Sequence, residues 1–309
     1  MGMAAVTSQS SLTFAISEIR CERNQCTIQT VDCAYRVAWS INPHMRIGSV
    51  NWRHASAQHQ AYRRALLEAG AELISLPFVH GAYDSVFAKD NAVLHSQRGR
   101  MRALLASPVH GERQQEQRAR ARVLGTLGFE VFSPPSAHFE GGDLAMLPRA
   151  SGALLGYGQR SSARAAMMLE VFLDAPVTPL ELRDPHLYHL DTALHVLSDG
   201  TVLACEEAFT PEALRTLART EGVNRVLRVP YEEALVFGLN LVEVGNTVLV
   251  GARAPQVMSL LRALGRRPVE VRLDQFHLAG GSAACLVSQI HHAGRVATSD
   301  TTAMRSTSV

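Results

Sequence analysis

The sequence has little of what several large classes of protein require. It carries five cysteines among 309 residues, and an odd number with three near the N-terminus argues against a regular disulfide framework. No apolar run reaches the length of a membrane span, and the N-terminus lacks the basic region and apolar core of a secretory signal. We therefore expect a cytoplasmic protein with reduced thiols and no membrane partner.

An excess of charge of one sign is also lacking. The 30 basic and 28 acidic residues leave a formal net charge of +2. The most basic stretch, RQQEQRARAR at residues 113–122, interleaves its charges with Gln and Ala and is interpreted as the solvated face of a helix. Because a nucleic-acid groove needs clustered basic charge, we expect no nucleic-acid partner.

Familiar cofactor motifs are missing as well. There is no phosphate loop, and GYGQRSSA at residues 156–163 lacks the glycine order of a dinucleotide fingerprint. No His-x-x-x-His ligand pair occurs. Cys21, Cys26 and Cys33 do not have zinc-site spacing, with no His at finger distance, and are interpreted as ordinary thiols. We therefore expect neither a metal nor an organic cofactor.

What the sequence does contain is a repeated order of secondary-structure elements. About five times, a helical pattern precedes a short strand and then a strand pair, as in SARAAMMLEVFLD, VTPLELR, HLDTALHVL and TVLAC. A periodic α/β unit of this size predicts a ring-like or solenoid arrangement. We expect one domain over residues 30–295, an N-terminal extension at 1–29 and a C-terminal tail at 296–309.

Acidic residues at the ends of apolar strands are the most informative feature. Asp90 lies between SVFAK and NAVL, and Glu140 precedes the double glycine of FEGGDL. His189 and Asp191 lie two apart in a predicted strand, which would place both on one face. Cys285 follows the glycine-led stretch AGGSAA. Since buried carboxylates need partners, the set predicts an acid-lined pocket with a thiol nucleophile and an acid/base, suited to a cationic substrate.

Each of these residues alone has an ordinary structural explanation. Asp90 is compatible with a turn cap, Glu140 with a surface ion pair and Cys285 with a small buried hydrophobe. His189 is compatible with a hydrogen-bonded structural histidine, and Asp143 with a turn residue. The functional interpretation depends on the set rather than on any one member.

Taken in series, four motifs resemble those of the guanidino-group modifying enzymes of the pentein fold: arginine deiminases, dimethylargininases and amidinotransferases. DSVFAKD is similar to their Phe-x-x-Asp motif, FEGGDL to Glu-Gly-Gly-Asp, YHLDT to His-x-Asp, and GGSAAC to the glycine-led nucleophilic cysteine. The motifs occur in the family's order over roughly residues 31–290. The resemblance implies an α/β fold, a five-bladed αβ-propeller with pseudo-fivefold symmetry, which agrees with the repeat.

The resemblance also implies catalytic roles. Cys285 corresponds to the nucleophile, His189 to the general acid/base, and Glu140 to the carboxylate that orients and charges the histidine. The implied reaction passes through a covalent thiouronium intermediate on Cys285 and requires no cofactor. Water then releases a ureido product such as citrulline.

Substrate-binding roles follow from the same resemblance. Asp90 and Asp191 correspond to the pair that binds the guanidinium nitrogens, and Arg160 to the arginine that meets the substrate carboxylate. Arg113 is a second candidate for that contact, and Phe87 of the Phe-x-x-Asp motif is assigned to the substrate pocket. The expected partner is an arginine-like small molecule, and a homodimer is expected because dimers are common in the family.

The substrate itself stays open at this point. Lys89 and Asp191 resemble the arginine deiminase pattern, whereas the compact length, DSVF and SINPHM resemble dimethylargininases. We place the dimethylargininase reaction first and the deiminase reaction next. An amidinotransferase, with an amine replacing water, is the alternative reaction, and a non-catalytic binding pentein is the alternative of a different class.

Overall fold

The computed structural model describes residues 12–21, 33–133 and 136–292. Most of the predicted extension, with Cys26, and all of the predicted tail lie outside these ranges. The α-helices are α1 (Trp52–Glu68), α2 (Gly111–Thr126), α3 (Ala165–Leu173), α4 (Leu190–Ala193), α5 (Pro211–Arg219), α6 (Tyr231–Leu235), α7 (Pro255–Ala263) and α8 (Asp274–His277). Among the described residues, none of these helices combines the length and apolar character needed to cross a bilayer.

Strands and helices alternate, so the predicted α/β class is confirmed. The strands are β1 (Thr13–Ser17), β2 (Glu72–Leu76), β3 (Ala92–Gln97), β4 (Arg100–Leu105), β5 (Glu130–Phe132), β6 (Leu144–Met146), β7 (Ala153–Tyr157), β8 (Val177–Glu181), β9 (Leu194–Val196), β10 (Thr201–Ala204), β11 (Arg225–Arg228), β12 (Leu241–Val244), β13 (Thr247–Val250), β14 (Arg267–Glu270) and β15 (Val287–His292).

The described strands form five triplets with one pairing pattern. The first strand pairs antiparallel with the second, and the third, after a helix, pairs parallel with the second. In β6–β7–β8, Leu155 lies opposite Leu144 in antiparallel register and opposite Pro179 in parallel register. The same pattern holds for β3–β4–β5, β9–β10–β11, β12–β13–β14 and β15–β1–β2. Parallel pairing of β15 with β3 joins two triplets into one six-stranded sheet.

β1 is a full member of this arrangement. It lies between β15 and β2, and Phe14, Ala15, Ile16 and Ser17 are buried. The prediction that residues 1–29 form an extension outside the domain is therefore wrong for this segment. Because both faces of β1 are covered, the strand has no alternating pattern by which the sequence could reveal it.

Local signals predicted some element boundaries and missed others. α5 begins at Pro211 as expected, with Thr210 Oγ1 accepting a hydrogen bond from the Ala213 N–H at 3.2 Å. The strands predicted for SVFAKDNAVLH and HLDTALHVL are wrong in their first halves, because Ala88–Asn91 is a 3₁₀ turn and Leu190–Ala193 is α4. His189 and Asp191 therefore lie at the start of a helical turn rather than on one face of a strand.

α2 differs from the solvated helix that the sequence predicted. Arg113, Glu116 and Arg120 are buried on its inner face, where spacings of three and four residues place them together. The Arg120 guanidinium donates hydrogen bonds to Asn91 Oδ1, Pro77 O, Ser17 Oγ and Ser85 O. Burying a charge requires such partners, and only distant parts of the chain provide them.

The first strands of the triplets face a common interior. β3, β6, β9, β12 and β15 all contribute residues to one cavity of about 780 Å³. The segments that enter these five strands are therefore brought together around it.

Candidate active site

The predicted site residues come from the segments that lead into the first strands. Asp90 lies in the 3₁₀ turn before β3, and Glu140 directly precedes the turn that enters β6. His189 is the N-cap of α4 and Asp191 lies in its first turn, ahead of β9. Cys285 lies just before β15. The fold brings these side chains close together: His189 lies against Asp90 and Glu140, and Cys285 lies against Asp191.

Cys285 is 2% exposed, and its neighbours determine its chemistry. Its Sγ lies 3.8 Å from Asp191 Oδ2 and 3.2 Å from Asn240 Nδ2. Burial, followed by the charges of Asp191 and Asp90, raises the pKa of the Cys285 thiol well above its usual value. The thiol is therefore protonated in the free protein, and a nearby cation would favour its ionisation.

Asn240 is the residue of this site that sequence reasoning missed. It is fully buried and directly precedes β12. Its Oδ1 accepts the Cys285 N–H at 3.2 Å, and its Nδ2 also donates to Asp191 O at 3.2 Å. The available signal was the repeat: the other four triplets have a predicted site residue before their first strand, and LNLVEV offers Asn240 at that place.

His189 is surrounded by three carboxylates. Its Nδ1 lies 3.3 Å from Asp143 Oδ1, and its Nε2 lies 3.6 Å from Glu140 Oε2 and 3.8 Å from Asp90 Oδ1. Burial alone would lower the pKa of His189, but Asp143 and Asp90 outweigh it and raise that pKa well above its usual value. The imidazole is therefore a cation at neutral pH and can act as an acid.

Asp143 holds the histidine ring from the Nδ1 side. It is fully buried, its Oδ2 accepts a hydrogen bond from Ser161 Oγ at 2.7 Å, and its Oδ1 accepts the Leu190 N–H at 3.0 Å. The sequence indicated a turn residue here and assigned the orienting role to Glu140 alone. In the fold, Nδ1 of His189 faces Asp143, whereas Nε2 faces Glu140 and Asp90.

Two buried arginines lie against Glu140. Arg160 Nη1 is 3.3 Å from Glu140 Oε1, and Arg113 Nη1 is 3.5 Å from Glu140 Oε2. Burial would raise the pKa of Glu140, but His189, Arg160 and Arg113 together lower it well below its usual value. Glu140 is therefore ionised despite its complete burial.

The two arginines differ in what else they contact. Arg113 also meets Asp90 Oδ2 at 2.9 Å and Glu116 Oε1 at 2.7 Å, so three carboxylates surround its guanidinium. Arg160 donates to a backbone carbonyl at 2.7 Å and lies 4.8 Å from the Tyr188 ring centroid. This geometry favours Arg113 as a support for Asp90, and leaves Arg160 as the better candidate to meet a substrate carboxylate.

Lys89, the only lysine of the chain, is paired with Asp191. Its Nζ lies 3.1 Å from Asp191 Oδ2. Burial raises the pKa of Asp191, and Lys89 opposes that shift without cancelling it. Both side chains also line the cavity of about 780 Å³, so the ion pair lies between that cavity and Cys285.

A second, narrower cavity leads to the same groups. It is lined by Phe87, Asp90, Arg113, Arg160 and Cys285 together with residues 41, 42 and 45 of the SINPHM segment. The structure therefore brings every predicted site residue to one place. Their assigned roles stay predictions.

The double glycine of FEGGDL permits this crowding. A Cβ on Gly141 would lie 2.0 Å from Lys89 O, and one on Gly142 would lie 2.6 Å from Asp90 Oδ1 and 3.0 Å from the His189 ring. The Gly142 N–H also donates to Asp90 Oδ1 at 2.9 Å. A larger residue at either position would push these groups apart.

The cluster of Asp90, Glu140 and His189 has donor atoms within 4.8 Å of one another, close enough to bind a metal ion in principle. Arg113 and Arg160, however, place two cations against the same carboxylates. Like charges repel, so these residues do not fit a divalent cation.

Comparison with known proteins identifies a matching family and a similar curated protein. A family model described as "N,N dimethylarginine dimethylhydrolase, eukaryotic" matches residues 45–292. The chain is 32% identical over 274 residues to the N(G),N(G)-dimethylarginine dimethylaminohydrolase of Mycobacterium tuberculosis, covering 88% of each protein.

Two solved structures are similar in fold. Unliganded AgrE, a bifunctional arginine dihydrolase/ornithine cyclodeaminase of Nostoc sp., matches with a TM-score of 0.82 and 26% identity, covering 93% of this chain but only 40% of that one. A cysteine-to-serine variant of dimethylarginine dimethylaminohydrolase from Pseudomonas aeruginosa, complexed with citrulline, matches with a TM-score of 0.68 and 21% identity over 90% of this chain and 98% of that one.

Proposed function

The chain belongs to the N,N-dimethylarginine dimethylhydrolase family, and we propose that it hydrolyses a C–N bond of an arginine-like guanidino compound to leave a ureido product such as citrulline. One observation carries the proposal: Cys285 lies 3.8 Å from Asp191, in a pocket that also holds Asp90 and the protonated His189. This set provides a nucleophile, two anions for a guanidinium and an acid for the departing amine.

Substrate binding and thiol ionisation are coupled in this mechanism. Asp90 and Asp191 bind the planar guanidinium and hold its carbon near Cys285 Sγ. The positive charge of the substrate offsets the two carboxylates that raise the pKa of Cys285, so the thiol releases its proton to solvent when substrate binds. Arg160 binds the substrate carboxylate at the other end of the pocket.

The reaction then proceeds in two halves. The Cys285 thiolate attacks the guanidinium carbon, and a C–S bond forms. His189 donates a proton to the departing nitrogen, the C–N bond breaks, and dimethylamine leaves from dimethylarginine. Water next attacks the resulting thiouronium and transfers a proton to the neutral imidazole. The C–S bond breaks, the second proton of the attacking water passes to solvent, citrulline departs and the thiolate is restored.

The predicted five-bladed αβ-propeller is part of this proposal. It is supported by the five triplets with one pairing pattern and by the shared cavity that their first strands line. A ring of five blades would explain why each blade delivers a site residue to the same centre. A cytoplasmic location and a homodimer stay predictions.

Arginine itself is a second candidate substrate, and Lys89 is the observation that favours it. The Lys89 ammonium lies 3.1 Å from Asp191 and limits the room beside that carboxylate for methyl groups on the guanidinium. The high similarity to the dihydrolase AgrE, with a TM-score of 0.82, supports the same alternative.

The test is to incubate the purified protein with asymmetric dimethylarginine and with arginine, and to identify the products by mass spectrometry. Citrulline with dimethylamine supports the first candidate, and citrulline with ammonia supports the second. Added glycine tests amidino transfer. Cys285→Ser should be inactive, while Cys205→Ser, a buried cysteine beside Glu207, should keep activity. No turnover of any guanidine overturns the proposal.

A further inference from the structure

A second cluster of metal-binding side chains lies outside the active site. It consists of Cys21, Cys33 and His80, and we call it the thiol–imidazole cluster. The two Sγ atoms and a ring nitrogen of His80 lie within 4.8 Å of one another, and Cys33 Sγ is 3.5 Å from His80 Nδ1. Both cysteines are buried and His80 is exposed. The proposed reaction uses none of the three.

Backbone pairing fixes the two cysteines opposite each other. The Cys21 N–H donates to Cys33 O at 2.7 Å, and the neighbouring residues Arg20 and Ala34 form an antiparallel bridge. His80 lies in the loop after β2, and strand β2 itself pairs parallel with β1. The fold therefore assembles the cluster from three separate segments, which is why cysteine spacing alone did not reveal it.

The donor set and its dimensions fit zinc. Thiolate sulfur and imidazole nitrogen, the donors of these three side chains, are donors that Zn²⁺ prefers. Zn–S bonds of about 2.3 Å and Zn–N bonds of about 2.0 Å give a tetrahedral S···N edge of roughly 3.5 Å. The observed Cys33–His80 separation is 3.5 Å. We propose that Cys21, Cys33 and His80 bind a zinc ion.

An ion at this cluster would stabilise one wall of the active-site pocket. It would link the segment that begins at Cys33 to the loop that leads to Asp84. These two segments already meet, since Trp39 Nε1 donates to Asp84 Oδ2 at 2.7 Å, and Asp84 lines the pocket. Zinc would therefore stabilise the fold and this wall without contacting the reacting atoms.

The experiment uses the full-length Cys285→Ser protein under reducing conditions, so that the active-site thiol cannot bind the metal. Zinc is titrated against a chromophoric chelator, and Co²⁺ serves as a probe of thiolate ligation by its charge-transfer absorption. We expect one equivalent bound and a higher unfolding temperature with zinc. On this background, Cys33→Ser and His80→Ala should each weaken binding at least about tenfold. Cys205→Ser should leave it unchanged.

Two results would overturn the inference. The metal would bind elsewhere if zinc affinity in Cys33→Ser, Cys21→Ser and His80→Ala equalled that of the Cys285→Ser parent. A reduced protein that takes up no zinc, but loses two thiols on mild oxidation, would make the cysteines a disulfide pair instead. Because His80 is exposed, His80→Ala should fold even if a cysteine variant does not. These readouts do not depend on catalysis, so the proposed function and this site can fail separately.

Discussion

The side-chain amide of Asn240 holds Cys285 at two points. Asn240 Oδ1 accepts the backbone N–H of Cys285 and Asn240 Nδ2 donates to its Sγ, each at 3.2 Å. An N–H donor stabilises a thiolate, whereas the nearby carboxylates of Asp191 and Asp90 oppose its formation. Ionisation of Cys285, the proposed nucleophile, therefore depends on the balance between this amide, the two carboxylates and the proposed cationic substrate.

Asn240→Ala should slow the reaction and make the thiol harder to ionise. Hydrogen bonds to charged groups are worth about 1.5–3 kcal/mol, so we expect kcat to fall roughly 10- to 100-fold. The rate of Cys285 alkylation by iodoacetamide, followed against pH, should rise only at higher pH than in the parent protein. Asn246→Ala, on the exposed turn between β12 and β13, is the control. An unchanged alkylation profile in Asn240→Ala would refute the role of the amide.

Asp143→Asn should lower the pH at which activity is lost on the alkaline side. Asp143 raises the pKa of His189, so its removal lowers that pKa, and the imidazolium, the proposed acid, deprotonates at lower pH. An opposite charge at this range shifts a pKa by about 1–3 units. The measurement is the pH dependence of kcat/KM. Asp174→Asn, at the exposed end of α3, should leave the profile in place, and an alkaline limb unmoved in Asp143→Asn would contradict the prediction.

Lys89→Met should move the acid limb of kcat/KM to higher pH. Burial raises the pKa of Asp191 and Lys89 opposes this, so loss of the lysine raises that pKa further. The ionised form of Asp191, which we propose binds the guanidinium, is then lost at a higher pH as the solution is acidified. Lys89→Arg, which keeps the charge, should retain the parent profile. Faster turnover by Lys89→Met at every pH would instead mean that Lys89 competes with the substrate for Asp191.

Gly142→Ala should impair both stability and activity. The added Cβ would lie 2.6 Å from Asp90 Oδ1, and overpacking of this kind typically costs about 1–3 kcal/mol. Displacement of Asp90 and His189 should reduce kcat/KM more than about tenfold. Gly125→Ala is the matched control, because Gly125 lies in α2 and a Cβ there meets nothing within 4 Å. That variant should be more stable by about 0.5–1 kcal/mol in urea unfolding, with unchanged kinetics.

The sequence by itself determined the features that depend on neighbouring residues. Helix starts such as Thr210 with Pro211 follow from local capping, and the repeated order of helix, strand and strand pair follows from local periodicity. The four motifs and their order pointed to a guanidino-modifying enzyme, and the residues they contain meet in one pocket. Chemistry that rests on residue type and short spacing was therefore accessible without the fold.

Only the tertiary structure decided the features that depend on distant partners. β1 is paired along both edges with strands from elsewhere in the chain, and the buried Arg120 of α2 is hydrogen-bonded by a group far away in sequence. Asn240 is identified as a site residue only by its hydrogen bonds to Cys285. The thiol–imidazole cluster forms only because the fold brings three separate segments together. Periodicity and propensity report only on the local chain, whereas burial and ionisation depend on long-range contacts. The protonation states of Cys285 and His189 are therefore determined by the tertiary structure.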